Sequence, residues 1–213
     1  IKETFVEASD LLKQDFWAMV TEPNEALNQT TNTQPLMLTA GIATWRAWQQ
    51  HTDKLPSLMA GHSLGEYTAL VAAGTLSFED ALPLVRYRAE VMQSAVAEGV
   101  GAMAAILGLD DDVVRSVCNE ASQGQVLEAV NLNSPGQVVI AGNKEAVERG
   151  MELAKEKGAK RALALPVSVP SHCALMKPAA EELAAYLKGV QVNKPLIPVL
   201  HNADVLAYSD AEK

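Results

Sequence analysis

Met59-Ala60-Gly61-His62-Ser63-Leu64-Gly65-Glu66 decides how the rest of the chain is read. Gly61-x-Ser63-x-Gly65 is the pattern of a nucleophile elbow, a tight strand-to-helix turn that lifts a serine hydroxyl clear of a sheet. The flanks are those the motif requires. Leu58-Met59-Ala60 reads as a buried apolar strand, and residues 66–73 read as a helix. Small residues are expected at 61 and 65, because a side chain at either would collide with the neighbouring strand or helix. The five-residue pattern alone arises by chance in roughly one chain in fifteen of this length, so the flanks carry the inference.

The 213 residues are 48% hydrophobic, which suits one or two globular domains with a real core. A net charge of −9 argues against nucleic acid or an anionic membrane as the main partner. No stretch has the apolar length of a membrane span, and no signal peptide is expected from these residues. Cys118 and Cys173 are too few for a disulfide framework and point to a reducing cytoplasm. No HExxH, CxxC, phosphate loop or acidic Mg²⁺ cluster occurs, so no metal and no nucleotide are expected. Residues 1–8 read as a helix already under way, and residues 209–213 stop without a closing element. A fragment of a longer chain is the expectation.

Residues 1–50 read as helical. Asn32-Thr33-Gln34-Pro35 suggests a helix start with Pro35 in the first turn. Leu36, Leu38, Ala40, Ile42, Ala43 and Trp45 then make the helix apolar nearly all round, as a buried helix is. Residues 51–57 are a polar loop. Over 78–97, Ala81, Leu84, Val85, Val91, Met92 and Ala95 form one helical stripe. Arg88 falls in the middle of that stripe, whereas Arg86 falls off it with Glu90 as a solvent-side partner. A buried Arg needs an anion, because an unpaired buried charge costs several kcal/mol. From the stripe alone, an internal ion pair or a snorkelling head group stands slightly ahead of a bound ligand.

The middle of the chain alternates: a strand at 101–107, a helix at 110–122, strands at 126–131 and 137–141, a helix at 144–157 closed by Gly158, and a strand at 161–166. Asn133-Ser134-Pro135-Gly136 is the turn between the two central strands. The order β-α-β-β-α-β is the split-βαβ, ferredoxin-like unit. It predicts an inserted subdomain at 98–167 within a larger α/β body formed by 1–97 and 168–213. Val167-Ser168-Val169-Pro170-Ser171-His172 is an extended segment, followed by a helix at 174–188 and an apolar strand at 196–200 that ends in His201-Asn202. Ser63 needs a base to act as a nucleophile. His51 reads as solvated, and His62 is aimed away from its neighbour by the turn. His172 is preferred over His201.

Gly61-His62-Ser63-Leu64-Gly65-Glu66-Tyr67, Arg88, Gly101-Ala102-Met103-Ala104-Ala105, Asn131-Leu132-Asn133-Ser134-Pro135-Gly136-Gln137 and Pro170-Ser171-His172-Cys173 together resemble the malonyl-CoA:acyl carrier protein transacylase family. The likeness is strongest to the stand-alone enzymes of bacterial fatty acid synthesis and covers essentially the whole chain. It implies a large α/β hydrolase-like subdomain carrying a ferredoxin-like one. It also implies a role for each matching residue: Ser63 the nucleophile, His172 the general base, Arg88 the clamp on the malonyl carboxylate, and the Leu64 backbone N–H an oxyanion donor. Malonyl-CoA and an acidic acyl carrier protein are the implied partners, with the coenzyme A thioester as substrate and no permanent cofactor. The family's opening strand with its Gly-Gln-Gly-Ser-Gln loop and its closing segment lie outside this sequence, which implies an impaired fragment.

Residues 143–194 hold nine Lys/Arg against six Asp/Glu, a local +3 in a chain of net −9. Lys155, Lys157, Lys160 and Arg161 are the candidate carrier-protein dock, with a solvated helix end as the plainer alternative. Two rival functions share the elbow: a serine hydrolase or thioesterase, and a non-catalytic domain that binds carrier protein.

Overall fold

A computed structural model describes residues 1–167 and 169–209. In chain order the elements are α1 (Lys2–Leu12), α2 (Phe16–Thr21), a 3-10 turn (Glu25–Asn28), α3 (Thr30–Gln49), β1 (Met59–Ala60), α4 (Leu64–Ala72), α5 (Phe78–Ser94), β2 (Gly101–Leu107), α6 (Asp111–Ser122), β3 (Leu127–Ser134), β4 (Gln137–Asn143), α7 (Lys144–Glu156), β5 (Arg161–Ala164), a second 3-10 turn (Ala174–Met176), α8 (Lys177–Leu187) and β6 (Val199–Leu200). The fold is α/β. Contacts group it into two units, Ile1–Glu90 with Ala184–Lys213, and Val91–Leu183.

In the first unit β1 pairs in parallel with β6, Met59 opposite Val199 and Ala60 opposite Leu200. Both strands are two residues long. The elbow strand is therefore not the buried apolar run expected: Leu58 and Ala60 are exposed and Met59 is half-buried. One partner strand pairs it among the described residues, so only part of its surface is covered. β6 is likewise shorter than the expected 196–200, and Leu196 is 84% exposed.

Helix α3 begins at Thr30, two residues before the Asn32-Thr33-Gln34-Pro35 stretch expected to start it. Pro35 sits inside the helix rather than in its first turn. Side-chain bonds to the preceding 3-10 turn explain the shift. Asn32 Nδ2 donates to the Ala26 carbonyl at 3.0 Å, and Thr33 Oγ1 donates to the Leu27 carbonyl at 2.5 Å. These bonds fix the first helical turn, and Asn32 and Gln34 are turned inward and buried. Beyond Gln34, α3 buries one side, with Leu38 and Ile42 almost inaccessible, but it is not buried all round as its composition suggested: Met37 and Trp48 are exposed and Trp45 is half-buried. A Cβ on Gly41 would lie 2.6 Å from Thr68 Cγ2, so glycine is what lets α3 approach α4.

The second unit contains a four-stranded antiparallel sheet of order β3-β4-β2-β5. Its elements follow the β-α-β-β-α-β order read from the sequence. Successive side chains on a strand face opposite ways. Ala104, Ile106, Val138 and Ile140 pack with Val114 and Val117 of α6 and Val147 of α7. Met103, Val139 and Ala141 pack instead with Cys173, Leu165 and Leu175. Both faces are covered, which is why β2 and β4 read as nearly continuous apolar runs. β3 runs past its expected end to Ser134, with irregular pairing near Ala129 and Leu132. The turn is then only Pro135-Gly136, and Gly136 takes the left-handed φ of 74° that such a tight turn demands. Gly158, at φ 97°, closes α7 with the Ala159 N–H on the Ala154 carbonyl.

Ser168, expected in the extended segment before His172, lies outside the described residues, as do residues 210–213. Among the described residues no helix is long and apolar enough to cross a membrane.

Candidate active site

Ser63 stands between β1 and α4 with φ 52° and ψ −110°. That backbone region is sparsely populated for a residue with a side chain and costs about 1–3 kcal/mol. The strain is what a nucleophile elbow stores. Its geometry depends on Gly61: a Cβ there would lie 2.0 Å from both the carbonyl carbon and the oxygen of Gly65. Gly65 differs from expectation. A Cβ at 65 would meet nothing within 4 Å, so the collision argued for both glycines applies only to the first. Past the turn, the Gly65 N–H donates to the His62 carbonyl and the Glu66 N–H to the Ser63 carbonyl. Leu64, the first residue of α4, has no helical carbonyl four residues back, which leaves its N–H as a first-turn donor.

Arg88 reaches the elbow from α5. Its Nη2 donates to Ser63 Oγ at 2.9 Å, and its Nη1 donates to Gln34 Oε1 at 2.5 Å. Its Cζ lies 5.5 Å from the Tyr67 ring centroid, a cation–π distance. Gln34 is fixed in turn by its Nε2 donating to Thr30 Oγ1 at 3.1 Å. The longer α3 is what makes this possible, since Thr30 and Gln34 are one helical turn apart. Among the described residues no carboxylate makes a salt bridge with Arg88. Burial pulls its pKa below the usual guanidinium range, opposed by Tyr67 and Glu66. Burial pushes the Tyr67 hydroxyl up, against the pull of Arg88.

Arg86 departs from the expected solvent-side position. It is half-buried, its Nη2 donates to Gln14 Oε1 at 2.5 Å, and its Nε is buried without a hydrogen bond. Desolvation lowers its pKa, with Glu90 acting in the opposite direction. Gln14 lies just past the end of α1, beyond the reach of any argument from the spacing of α5.

The end of β6 supplies contacts that sequence spacing did not show. Asn202 Oδ1 accepts from the Ser63 N–H at 2.5 Å, and Asn202 Nδ2 donates to the Gly61 carbonyl at 2.7 Å. Glu66 Oε2 accepts from the Asn202 N–H at 2.8 Å, and Glu66 Oε1 lies 2.7 Å from His201 Nδ1. His201 is therefore engaged with Glu66. The one available signal was position: His201-Asn202 ends a strand parallel to the elbow strand, where ligands of α/β sheets gather.

His172 belongs to the second unit, on the turn after Pro170, with a left-handed φ of 67°. A Cβ on Gly101 would lie 2.4 Å from Pro170 Cγ, so the turn packs directly on the start of β2. Cys173, buried against the sheet, places its Sγ 3.1 Å from the Pro170 carbonyl. In the same unit Lys155 pairs with Glu152 at 2.7 Å and Lys157 with Glu120 at 3.4 Å. Lys160 and Arg161 are exposed and make no salt bridge among the described residues. No cluster of three or more His, Cys, Asp or Glu fit to hold a metal occurs among the described residues.

Residues 5–206 match the family model described as an acyl transferase domain. The malonyl CoA-acyl carrier protein transacylase of Salmonella typhimurium is 57% identical over 212 residues, spanning 99% of this chain and 69% of that protein. The Escherichia coli K12 protein of the same name is 59% identical over 206 residues, 96% of this chain and 67% of its own. Among solved structures, an acyl-carrier-protein S-malonyltransferase from Burkholderia pseudomallei superposes with a TM-score of 0.96 at 61% identity, covering 99% of this chain and 69% of that one. A malonyl-transacylase solved in complex with a type II PKS acyl-carrier protein gives 0.97 at 56% identity, with the same coverage.

The two elbow glycines should separate in stability. Gly61→Ala is expected to lower unfolding free energy by at least about 2 kcal/mol through overpacking, whereas Gly65→Ala should change it by no more than about 0.5 kcal/mol. Urea denaturation measures both. Equal losses would contradict the geometry of the turn.

Proposed function

The chain belongs to the acyl transferase family and, within it, to the malonyl CoA-acyl carrier protein transacylases; from that premise we propose that it moves a malonyl group from malonyl-CoA to the phosphopantetheine thiol of acyl carrier protein through an acyl-serine. The observation that carries this reading is the Arg88 guanidinium. It is held beside Ser63 Oγ by neutral groups, with no salt bridge to a carboxylate among the described residues. A malonyl thioester brings the free carboxylate that such a cation lacks. Charge-assisted hydrogen bonds of this kind are about twice as strong as neutral ones.

In the proposed sequence, Ser63 Oγ attacks the thioester carbonyl and His172 takes its proton. The Leu64 N–H stabilises the oxyanion. The tetrahedral adduct collapses, the C–S bond breaks, and the coenzyme A thiolate leaves with the proton from His172. Malonyl-Ser63 remains. In the second half the carrier's thiol gives its proton to His172 and attacks the ester, and Ser63 departs reprotonated. No permanent cofactor enters either half.

We take residues 1–97 with 168–213 as the hydrolase-like subdomain and 98–167 as a ferredoxin-like one. The antiparallel sheet between Gly101 and Ala164 supports this, and the chain passes between its two compact units at 90/91 and 183/184. A cytoplasmic setting suits two buried free thiols. For the carrier dock, Lys155 and Lys157 are partly neutralised by their glutamates, so Lys160 and Arg161 carry the proposal toward an acidic partner.

Intact enzyme incubated with malonyl-CoA should show a malonyl mass adduct on the Ser63 peptide, discharged by adding carrier protein. An unmodified Ser63 would overturn the reading. Reversing Lys160 and Arg161 to Glu should raise KM for carrier protein severalfold while leaving that for malonyl-CoA unchanged, as expected when a rim charge steers encounter. An equal effect on both would reject the dock.

A further inference from the structure

We propose that Asn202 is a positioning residue for the nucleophile, a brace whose single amide clamps the peptide groups on either side of His62 and so fixes where Ser63 points. The inference rests on the reading of Ser63 as nucleophile and deepens it. Ser63 sits in a backbone region that persists only when its surroundings over-determine it, and Gly61 merely permits that shape. Asn202 specifies it. Its Oδ1 accepts from the Ser63 N–H and its Nδ2 donates to the Gly61 carbonyl. A side-chain amide is the smallest group with a donor and an acceptor in one plane that can satisfy both.

The brace is itself anchored. The Asn202 backbone N–H donates to Glu66 Oε2, and the other oxygen of Glu66 faces His201 Nδ1. Glu66 lies in the first turn of α4, so the contacts form a ring: elbow, end of β6, first turn of α4, and back to the elbow. The ring leaves Ser63 Oγ free to meet Arg88 from the other side, with their separation at 2.9 Å. It also occupies the Ser63 N–H, which leaves the Leu64 N–H as the elbow's oxyanion donor. A misplacement of about 1 Å at a reacting group can cost about a hundredfold in rate.

The test uses intact enzyme and three proteins. Wild type is first titrated with malonyl-CoA to count Ser63 sites that take a malonyl group. A wild type without adduct would defeat the reading of Ser63 rather than the brace. Asn202→Ala removes both bonds, and Asn202→Asp keeps the acceptor but loses the donor. Counted per titrated Ser63, kcat should fall about a hundredfold in Asn202→Ala and about tenfold in Asn202→Asp, each with KM for malonyl-CoA within threefold of wild type. A purely structural role would lower the number of titratable sites but not the rate at each. Rates per site within twofold of wild type in both variants, or a loss appearing only in KM, would overturn the proposal. If Asn202→Ala fails to fold, the near-isosteric Asn202→Asp decides alone by the same criterion.

Discussion

A guanidinium that has given up water without gaining a carboxylate constrains the whole first unit. Removing a cation from water is costly, and proteins ordinarily offset the cost with a paired anion. Arg88 is held by an amide oxygen, a hydroxyl and an aromatic face, and the nearby Glu66 charge favours it without a salt bridge among the described residues. These groups orient the cation without neutralising it, and they come from two separate places in the chain, the start of α3 and the elbow with its helix. Gln34 is available because α3 starts at Thr30, and Tyr67 because the elbow opens directly into α4. The arrangement leaves the charge in place for a carboxylate that arrives with a substrate.

The second constraint is mechanical. Ser63 holds a conformation that a free chain would abandon, and the side chains around it are arranged to prevent that. Gly61 removes the Cβ that would strike the Gly65 backbone, and Asn202 ties down the peptide groups on either side of His62. His172, in the other unit, also adopts a left-handed backbone, on a turn pinned by Pro170 against Gly101 and by the buried Cys173. Both residues to which the chemistry is assigned thus sit on strained backbone supported by tight local packing. That is where strain is expected if geometry matters more than stability.

Much of the second unit was legible in the sequence because its signals are local. β2 carries a continuous apolar run, α7 ends on a Gly158 with the φ that helix termination favours, and α6 has acids at its start. The elbow was legible for the same reason. What escaped depended on distant partners. Arg86 looked solvent-facing until Gln14, 72 residues away, accepted its hydrogen bond. Asn202 looked like the end of a strand, although it bonds a residue 139 positions earlier. The start of α3 was misplaced because Pro35 is a good first-turn residue in isolation, and the bonds that override it come from the preceding turn. Gly65 was over-read: its spacing is part of the motif, but no neighbour among the described residues would meet a side chain there.

The account turns on Arg88 acting through the substrate's free carboxylate, and acyl selectivity measures that most directly. Malonyl-CoA and acetyl-CoA share the thioester and the leaving group, so the ratio of their kcat/KM values cancels whatever Arg88 does for Ser63 itself. A hydrogen bond to a charged group is worth about 1.5–3 kcal/mol, so Arg88→Ala should lower the malonyl-to-acetyl ratio by about one to two orders of magnitude. A ratio unchanged from that of the parent enzyme would contradict the account.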